Sequence, residues 1–293
     1  MGRDFARSFF RWSHQLREEL DFWNHWAASG GAPNPAHHAE RTNPAMPIDP
    51  RIILYAQSRD LKEITVLDVG SGPLTKVGHQ GPKGLSVKVI ASDPLAQFYN
   101  EEFKKHRIQV PNPPEFALAE FLSSFYAQSS IDVISCNNAL DHCIDPVRAI
   151  HEMLIILKVG GVALCSSRRN EGVKANYEGL HQFNIDSRGG EVFISGRDQP
   201  LLPLRQQLPE QCTITLISDD ADWVHFRIEK NEELLDGDLV EHLRLQLREL
   251  LQGAVDAGLQ QAPQHCLEGE LQAIPRGRRR FLRWIKNVLS PTS

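Results

Sequence analysis

Two groups of residues in this 293-residue chain have types and spacings suited to chemistry. The first is Thr65-Val66-Leu67-Asp68-Val69-Gly70-Ser71-Gly72-Pro73-Leu74-Thr75, an apolar run that meets an acid and then a Gly-x-Gly turn. Glycine lets the backbone reverse sharply and lets a ligand approach the peptide groups within contact distance. Asp93, with Pro94 directly after it, ends a second apolar run, Val87 to Ser92, at the spacing of a ribose-binding carboxylate. Together they describe a seat for a nucleotide-like cofactor. The second group is Asp141-His142, which follows the run Ile131 to Cys136, with Glu171 and His181 further on. An imidazole beside a carboxylate can take a proton from a hydroxyl near neutral pH, the carboxylate fixing the tautomer; packing or positioning is the plainer role for the same pair. Asp141, His142, Glu171 and His181 have no fixed ligand spacing, so no metal is expected. His37-His38 lies in a Pro-rich stretch and is expected to face solvent.

The elements that must position these groups alternate between strands and helices. Strands are expected at 65–69, 87–92, 131–136 and 162–166. A helix is expected from Val147 to Lys158, where apolar residues recur at helical spacing, and Val159-Gly160-Gly161 ends it. Segments 213–218 and 223–228, separated by Asp219-Asp220-Ala221-Asp222, read as a closing antiparallel hairpin. Ahead of this core, residues 5–28 carry Phe9, Trp12, Leu16, Leu20 and Trp23 at helical spacing, and Gly30 to Pro35 breaks the helix. That stripe is expected to pack against the main domain, with lining of an acceptor pocket as the alternative. Beyond residue 232 a helical segment runs from Leu234 to Leu259. A locally basic end follows, with six Lys or Arg between 276 and 286 and apolar Phe281, Leu282, Ile285 and Leu289. It reads as a solvated helix docked on its own domain or a partner; contact with an anionic membrane or nucleic acid is the alternative. The resulting division is a helical cap with a Pro-rich loop (1–60), a cofactor-binding domain (61–231), and a C-terminal helix with a basic tail (232–293).

The first segment, with Asp93 and the block 131–166, resembles the class I S-adenosylmethionine-dependent methyltransferases, in their small-molecule, type 11-like branch. Asp141-His142-Cys143-Ile144-Asp145-Pro146, the helix after it, and Leu157-Lys158-Val159-Gly160-Gly161 are similar to that branch's strand–helix–strand block. Two residues depart from the pattern: Leu74 stands where many members have a third glycine, and Val159 where the branch usually has proline. The resemblance implies an α/β fold with a Rossmann-like, mostly parallel seven-stranded sheet and an antiparallel last strand. It also implies S-adenosylmethionine as cofactor. Asp68 would orient the loop and the methionine amino group, Gly70, Ser71 and Gly72 would give the backbone surface, and Asp93 and Pro94 would meet the ribose. For Asp93 the plainer role is a turn or helix-cap carboxylate. Glu120 and Phe121 would hold adenine, and Asn137 would lie beneath the transferable methyl. Asp141, His142 and His181 would face the acceptor. Because the sulfonium is already activated, the protein has chiefly to align the reactants, exclude water and manage the acceptor's proton.

Composition agrees with such an enzyme. With 41% hydrophobic residues the chain can fill a core, and a net charge of −5 argues against a nucleic-acid surface spread over the protein. Its five cysteines form no CxxC pair, which fits a reducing compartment. The N-terminus lacks the apolar run of a signal peptide, and no segment is long enough to span a bilayer, so a cytoplasmic location is expected. The expected function is methyl transfer to a small-molecule acceptor, most simply an oxygen of a sugar or secondary metabolite. The rivals are a methyltransferase-like binding protein without catalysis and an NAD(P)-dependent oxidoreductase; the missing third glycine counts against the latter.

Overall fold

The computed structural model describes residues 2–197, 199–234 and 241–260. The apolar runs form the centre of a six-stranded sheet. β1 (Glu63–Val69) lies between β2 (Ser86–Ser92) and β3 (Ile131–Asn137), and β4 (Leu157–Arg168) follows β3, all four parallel. The hairpin of β8 (Cys212–Asp219) and β9 (Trp223–Lys230) completes the order β2-β1-β3-β4-β9-β8, with β9 antiparallel to β4. β3 is buried along almost its whole length, as a central parallel strand covered on both faces must be, whereas the edge strand β8 alternates towards solvent. The buried Asp132 fixes the register of these strands: its Oδ2 accepts the Thr65 amide at 2.8 Å and the Lys158 ammonium at 2.9 Å.

The sheet has six strands where seven were expected, and the missing one has a physical cause. The chain beside β2 contains Pro111, Pro113 and Pro114, which can donate no ladder hydrogen bond. Pairing there shrinks to a single bridge between Ser92 and Glu115. Two further expectations need correction. Leu157 and Lys158 belong to β4 and not to the preceding helix: α5 (Pro146–Ile156) ends two residues before the expected Lys158, and the strand takes in the glycine pair. Residues 169–203, where no strand or helix was expected, contain α6 (Glu171–Lys174) and a second small sheet of β5 (Phe183–Arg188), β6 (Glu191–Gly196) and β7 (Leu202–Pro203). The pair Gly189-Gly190 between two short runs was the available hairpin signal; both adopt positive φ.

Helices cover the faces. α5 starts on Pro146, with Asp145 capping it by accepting the amides of Val147 and Arg148, and presses Ile150, Met153 and Leu154 onto β3 and β4. α3 (Pro50–Ser58) covers the opposite face through Ile52 and Ala56 against Val66 and Val133. A third cluster joins α1 (Gly2–Ala28), α4 (Ala96–His106) and α7 (Glu241–Gln260). Here Phe9, Trp12, Leu16 and Leu20 meet Leu247, Leu251 and Val255. The N-terminal stripe therefore packs as expected. α2 (Pro35–Thr42) carries His37 and His38. The basic segment 276–286 lies outside the described residues, and so does Cys266; the other four cysteines are free and buried. Among the described residues no helix is long and apolar enough to cross a membrane.

Lys230, at the end of β9, is fully buried and donates to Leu157 O at 2.8 Å, Ser129 Oγ at 3.1 Å and Glu233 Oε2 at 2.9 Å. Lys230→Met fills similar space but strands these acceptors. It is expected to lower unfolding stability by about 1–3 kcal/mol in a urea titration.

Candidate functional site

In open α/β sheets the ligand crevice lies at the carboxyl ends of the strands where the connections diverge. Here β1 connects onward to β2 on one side while β3 flanks it on the other, so the crevice opens between residue 69 and residue 137. Residues 70–85, which join β1 to β2, contain no helix. Their shape comes from side chains instead. Thr75 Oγ1 donates to Asp68 Oδ2 at 2.6 Å, tying the loop back onto β1. Asp68 is 2% exposed, and burial pushes its carboxyl up, opposed by the bond from Thr75. Gly70 and Gly72 both take left-handed φ, +66° and +62°. A Cβ on Gly70 would come within 2.5 Å of Ala139 Cβ, so the turn is pressed against the chain leaving β3. Gly70→Ala is accordingly expected to cost about 1–3 kcal/mol of stability, measured by chemical denaturation.

Asp93 sits across this turn. Its Oδ2 accepts the Gly72 amide at 3.0 Å and its Oδ1 the Leu95 amide at 2.9 Å. It therefore does serve as a turn carboxylate around Pro94, and it also holds the Gly-x-Gly loop. Burial pushes it up to about 7, the two amides hold it down, and Glu19 and Asp68 push it further up. An ionised carboxylate offers about four acceptor positions. The two amides leave room for two hydroxyls, so Asp93 fits a ribose. Ser71 donates its amide to Ser92 O at 3.0 Å, closing the turn onto β2.

Glu120 and Phe121 lie in a 3-10 segment, Ala119–Ser124. Glu120 is held inside the protein: its Oε1 accepts the amides of Ile144 at 2.6 Å and Asp145 at 3.1 Å. Burial pushes it up to about 7. The residue joins this segment to the start of α5. Phe121 is 3% exposed among Leu74, Leu95, Leu118 and Ile144 beneath the crevice, with the Arg148 guanidinium 4.8 Å from its ring.

At the end of β3, Asn137 Oδ1 accepts from the Lys76 ammonium at 3.0 Å, a bridge across the crevice from the loop after β1. The 3-10 turn Leu140–His142 then brings Asp141 and His142 to the same edge. His181 reaches them from the segment before β5, where the Gln182 amide donates to Asp141 O at 3.2 Å. Asp141 pairs more closely with His181 than with its neighbour: Oδ2 lies 2.7 Å from His181 Nδ1 and 3.5 Å from His142 Nε2. The bond to Asp141 raises the His181 imidazole, opposed by burial. Asp141 is 1% exposed, and its Oδ1 has no hydrogen-bond partner.

α1 closes this edge, a contact that sequence reading raised only as the alternative role of its aromatic stripe. Trp23 lies over Gly72, 3.5 Å from where a Cβ would stand, and donates its indole N–H to Glu19 Oε1 at 2.6 Å. Trp12 donates to His142 O at 2.8 Å. Their helical spacing was visible; the surface they would meet was not. Lys76 was also missed, since nothing local distinguishes it from a solvated lysine.

Comparison with known proteins follows this geometry. Residues 67–165 match the family model described as a methyltransferase domain. No curated protein matches the chain. Among solved structures, it is similar to the CurJ carbon methyltransferase (16% identity, TM-score 0.41, 58% of this chain and 49% of that one). It is also similar to the trans-methyltransferase CalH in complex with SAH (13%, TM-score 0.40, 61% and 55%). A third is a SAM dependent methyltransferase from Aquifex aeolicus (14%, TM-score 0.36, 70% and 97%). The chain spans about half the length of the CurJ and CalH chains.

Proposed function

We infer the reaction from one premise, that residues 67–165 form a class I S-adenosylmethionine-dependent methyltransferase domain: the chain moves the methyl group of S-adenosylmethionine to a hydroxyl oxygen of a small acceptor, a sugar or secondary metabolite. S-adenosylmethionine supplies the methyl already activated on a sulfonium. The observation that carries the reading is the convergence at one crevice of two unlike groups, the Gly70–Gly72 turn with Asp93 and the cluster Asp141, His142 and His181.

The residues divide the work. Asp93 receives the ribose hydroxyls beside Gly72. Asp68, through Thr75, keeps the loop in the shape that the cofactor needs. Asn137 and Ala139 stand where the methyl would be presented, and Trp12, Glu19 and Trp23 cover the crevice and exclude water. Asp141, His142 and His181 face the acceptor and draw off the hydroxyl proton. A neutral hydroxyl is a weak nucleophile, so these groups favour oxygen over an acceptor that carries no such proton. The helix-free connection 70–85 disfavours a dinucleotide, whose pyrophosphate needs amides at a helix start.

The test is incubation of the full chain with S-adenosylmethionine and a panel of sugars and phenolic metabolites, scored by mass. Gain of one methyl with release of S-adenosylhomocysteine is expected. Binding of S-adenosylhomocysteine without transfer to any member would favour a binding protein, and absence of that binding would overturn the reading.

A further inference from the structure

We propose that Asp141, His142 and His181 form a binding site for a divalent first-row transition-metal ion, of the zinc, manganese or ferrous class, at the acceptor end of the crevice. What the ion would touch rests on the methyltransferase reading; the site itself does not.

The argument is geometric. Asp141 Oδ2, His142 Nε2 and His181 Nδ1 form a triangle with edges of 2.7, 3.2 and 3.5 Å. Donors bound to one ion at about 2.0–2.1 Å, with angles between octahedral and tetrahedral, stand roughly 2.9–3.5 Å apart. The 3.2 and 3.5 Å edges fall in that range and the 2.7 Å edge is about 0.2 Å short of it, so a small opening of the His181–Asp141 pair makes the three atoms one face of a coordination shell. Hydrogen bonding alone satisfies the triangle one edge at a time. If His181 Nδ1 gives its proton to Asp141, it has no lone pair left for His142, and His142 Nε2 is too far from the carboxylate for a good bond. An ion at the centre takes a lone pair from all three.

Burial and chemistry agree with this. The Asp141 carboxylate is nearly sealed and has an oxygen, Oδ1, without a partner. The two imidazole side chains are 22% and 34% exposed, which leaves the outer side of the triangle open to an oxygen of water or acceptor. Two nitrogens and one oxygen suit a borderline ion, whereas magnesium and calcium prefer oxygen alone. The supports are firm: Trp12 holds the His142 carbonyl, and the Gln182 amide holds that of Asp141. Glu171 and Glu19 act electrostatically on His181 and would offset the second positive charge. Asp141 and His142 are neighbours in sequence but His181 lies 39 residues after His142, with no ligand spacing between them, so only the fold brings the three together.

With their lone pairs on the ion, the three side chains would draw off the acceptor's proton indirectly, through the ion and not as bases: a hydroxyl bound to it would release its proton to solvent more readily. Its oxygen then forms the bond to the methyl carbon as the carbon–sulfur bond breaks, and sulfur keeps that electron pair.

The experiment titrates Co²⁺ and Zn²⁺ into the full chain after dialysis against EDTA, read by visible absorption and by calorimetry. One ion per chain with cobalt bands of low-symmetry N/O coordination is expected. Asp141→Asn and His181→Gln should each weaken binding at least about tenfold, with circular dichroism confirming the fold. Because Asp141 is buried, His142→Gln provides a third variant at a more exposed position, with the same expected loss. A chain that binds no ion, or variants that bind it as well as the parent, would overturn the site. S-adenosylhomocysteine is titrated in parallel. Its binding without metal binding leaves the methyltransferase reading and removes the ion; the converse leaves the ion and removes the reading.

Discussion

His181→Gln is expected to slow methyl transfer by about 10²-fold or more while leaving S-adenosylhomocysteine affinity within about twofold. Its Nδ1 lies 2.7 Å from Asp141 Oδ2, and it reaches the crevice from the segment before β5, away from the Gly70–Gly72 turn and Asp93. The substitution therefore removes proton handling at the acceptor end without disturbing the cofactor end. Glutamine keeps a polar group of similar reach but can neither accept a proton near neutral pH nor carry charge. His142→Ala should follow the same pattern. A variant of either residue that keeps its rate constant at saturation and loses only acceptor affinity would show that the cluster positions the acceptor, and that alignment with the sulfonium carries the catalysis.

The second large effect concerns Asp93. Asp93→Asn is expected to weaken S-adenosylmethionine binding about 10- to 100-fold, ~1.4–2.8 kcal/mol, because hydrogen bonds from the ribose to a charged acceptor become bonds to a neutral amide. Isothermal calorimetry decides it, and an unchanged dissociation constant would take Asp93 out of the cofactor site. The same residue gives a pH dependence. Burial pushes Asp93 up to about 7, so below that value the carboxyl is protonated and offers fewer lone pairs. Cofactor affinity should fall as pH drops from 8 to 6, and that dependence should disappear in Asp93→Asn. Stability runs the other way. A carboxyl raised in the folded state favours folding while protonated, so the contribution of Asp93, and likewise of Glu120, is present at low pH and lost as pH rises through about 7.

The parts of this fold that were legible in the sequence are those in which a local pattern answers to a local force. The apolar runs of β1 to β4, the proline start of α5 and the β8–β9 hairpin follow from periodicity and turn chemistry. Expectation was incomplete where distant contacts decide. The resemblance gives Glu120 a role at adenine, but no local pattern shows that its Oε1 accepts two amides 24 and 25 residues away. Leu157 and Lys158 continue a helical pattern, yet pairing with β3 and the pull of Asp132 on Lys158 make them strand. The meeting of His142 with His181, 39 residues apart, could be guessed as a neighbourhood but not as a geometry.

The prolines that cut the seventh strand to a single bridge also affect how copies of this chain behave towards one another. β2 is left as an outer strand, and an outer strand with a free row of amides and carbonyls is a template on which another chain can add. Here the Ser92–Glu115 bridge occupies the inner end of that row, the prolines cannot extend it, and Lys88 puts a charge in the middle of β2. The loss of a strand thus leaves an edge that resists edge-to-edge aggregation.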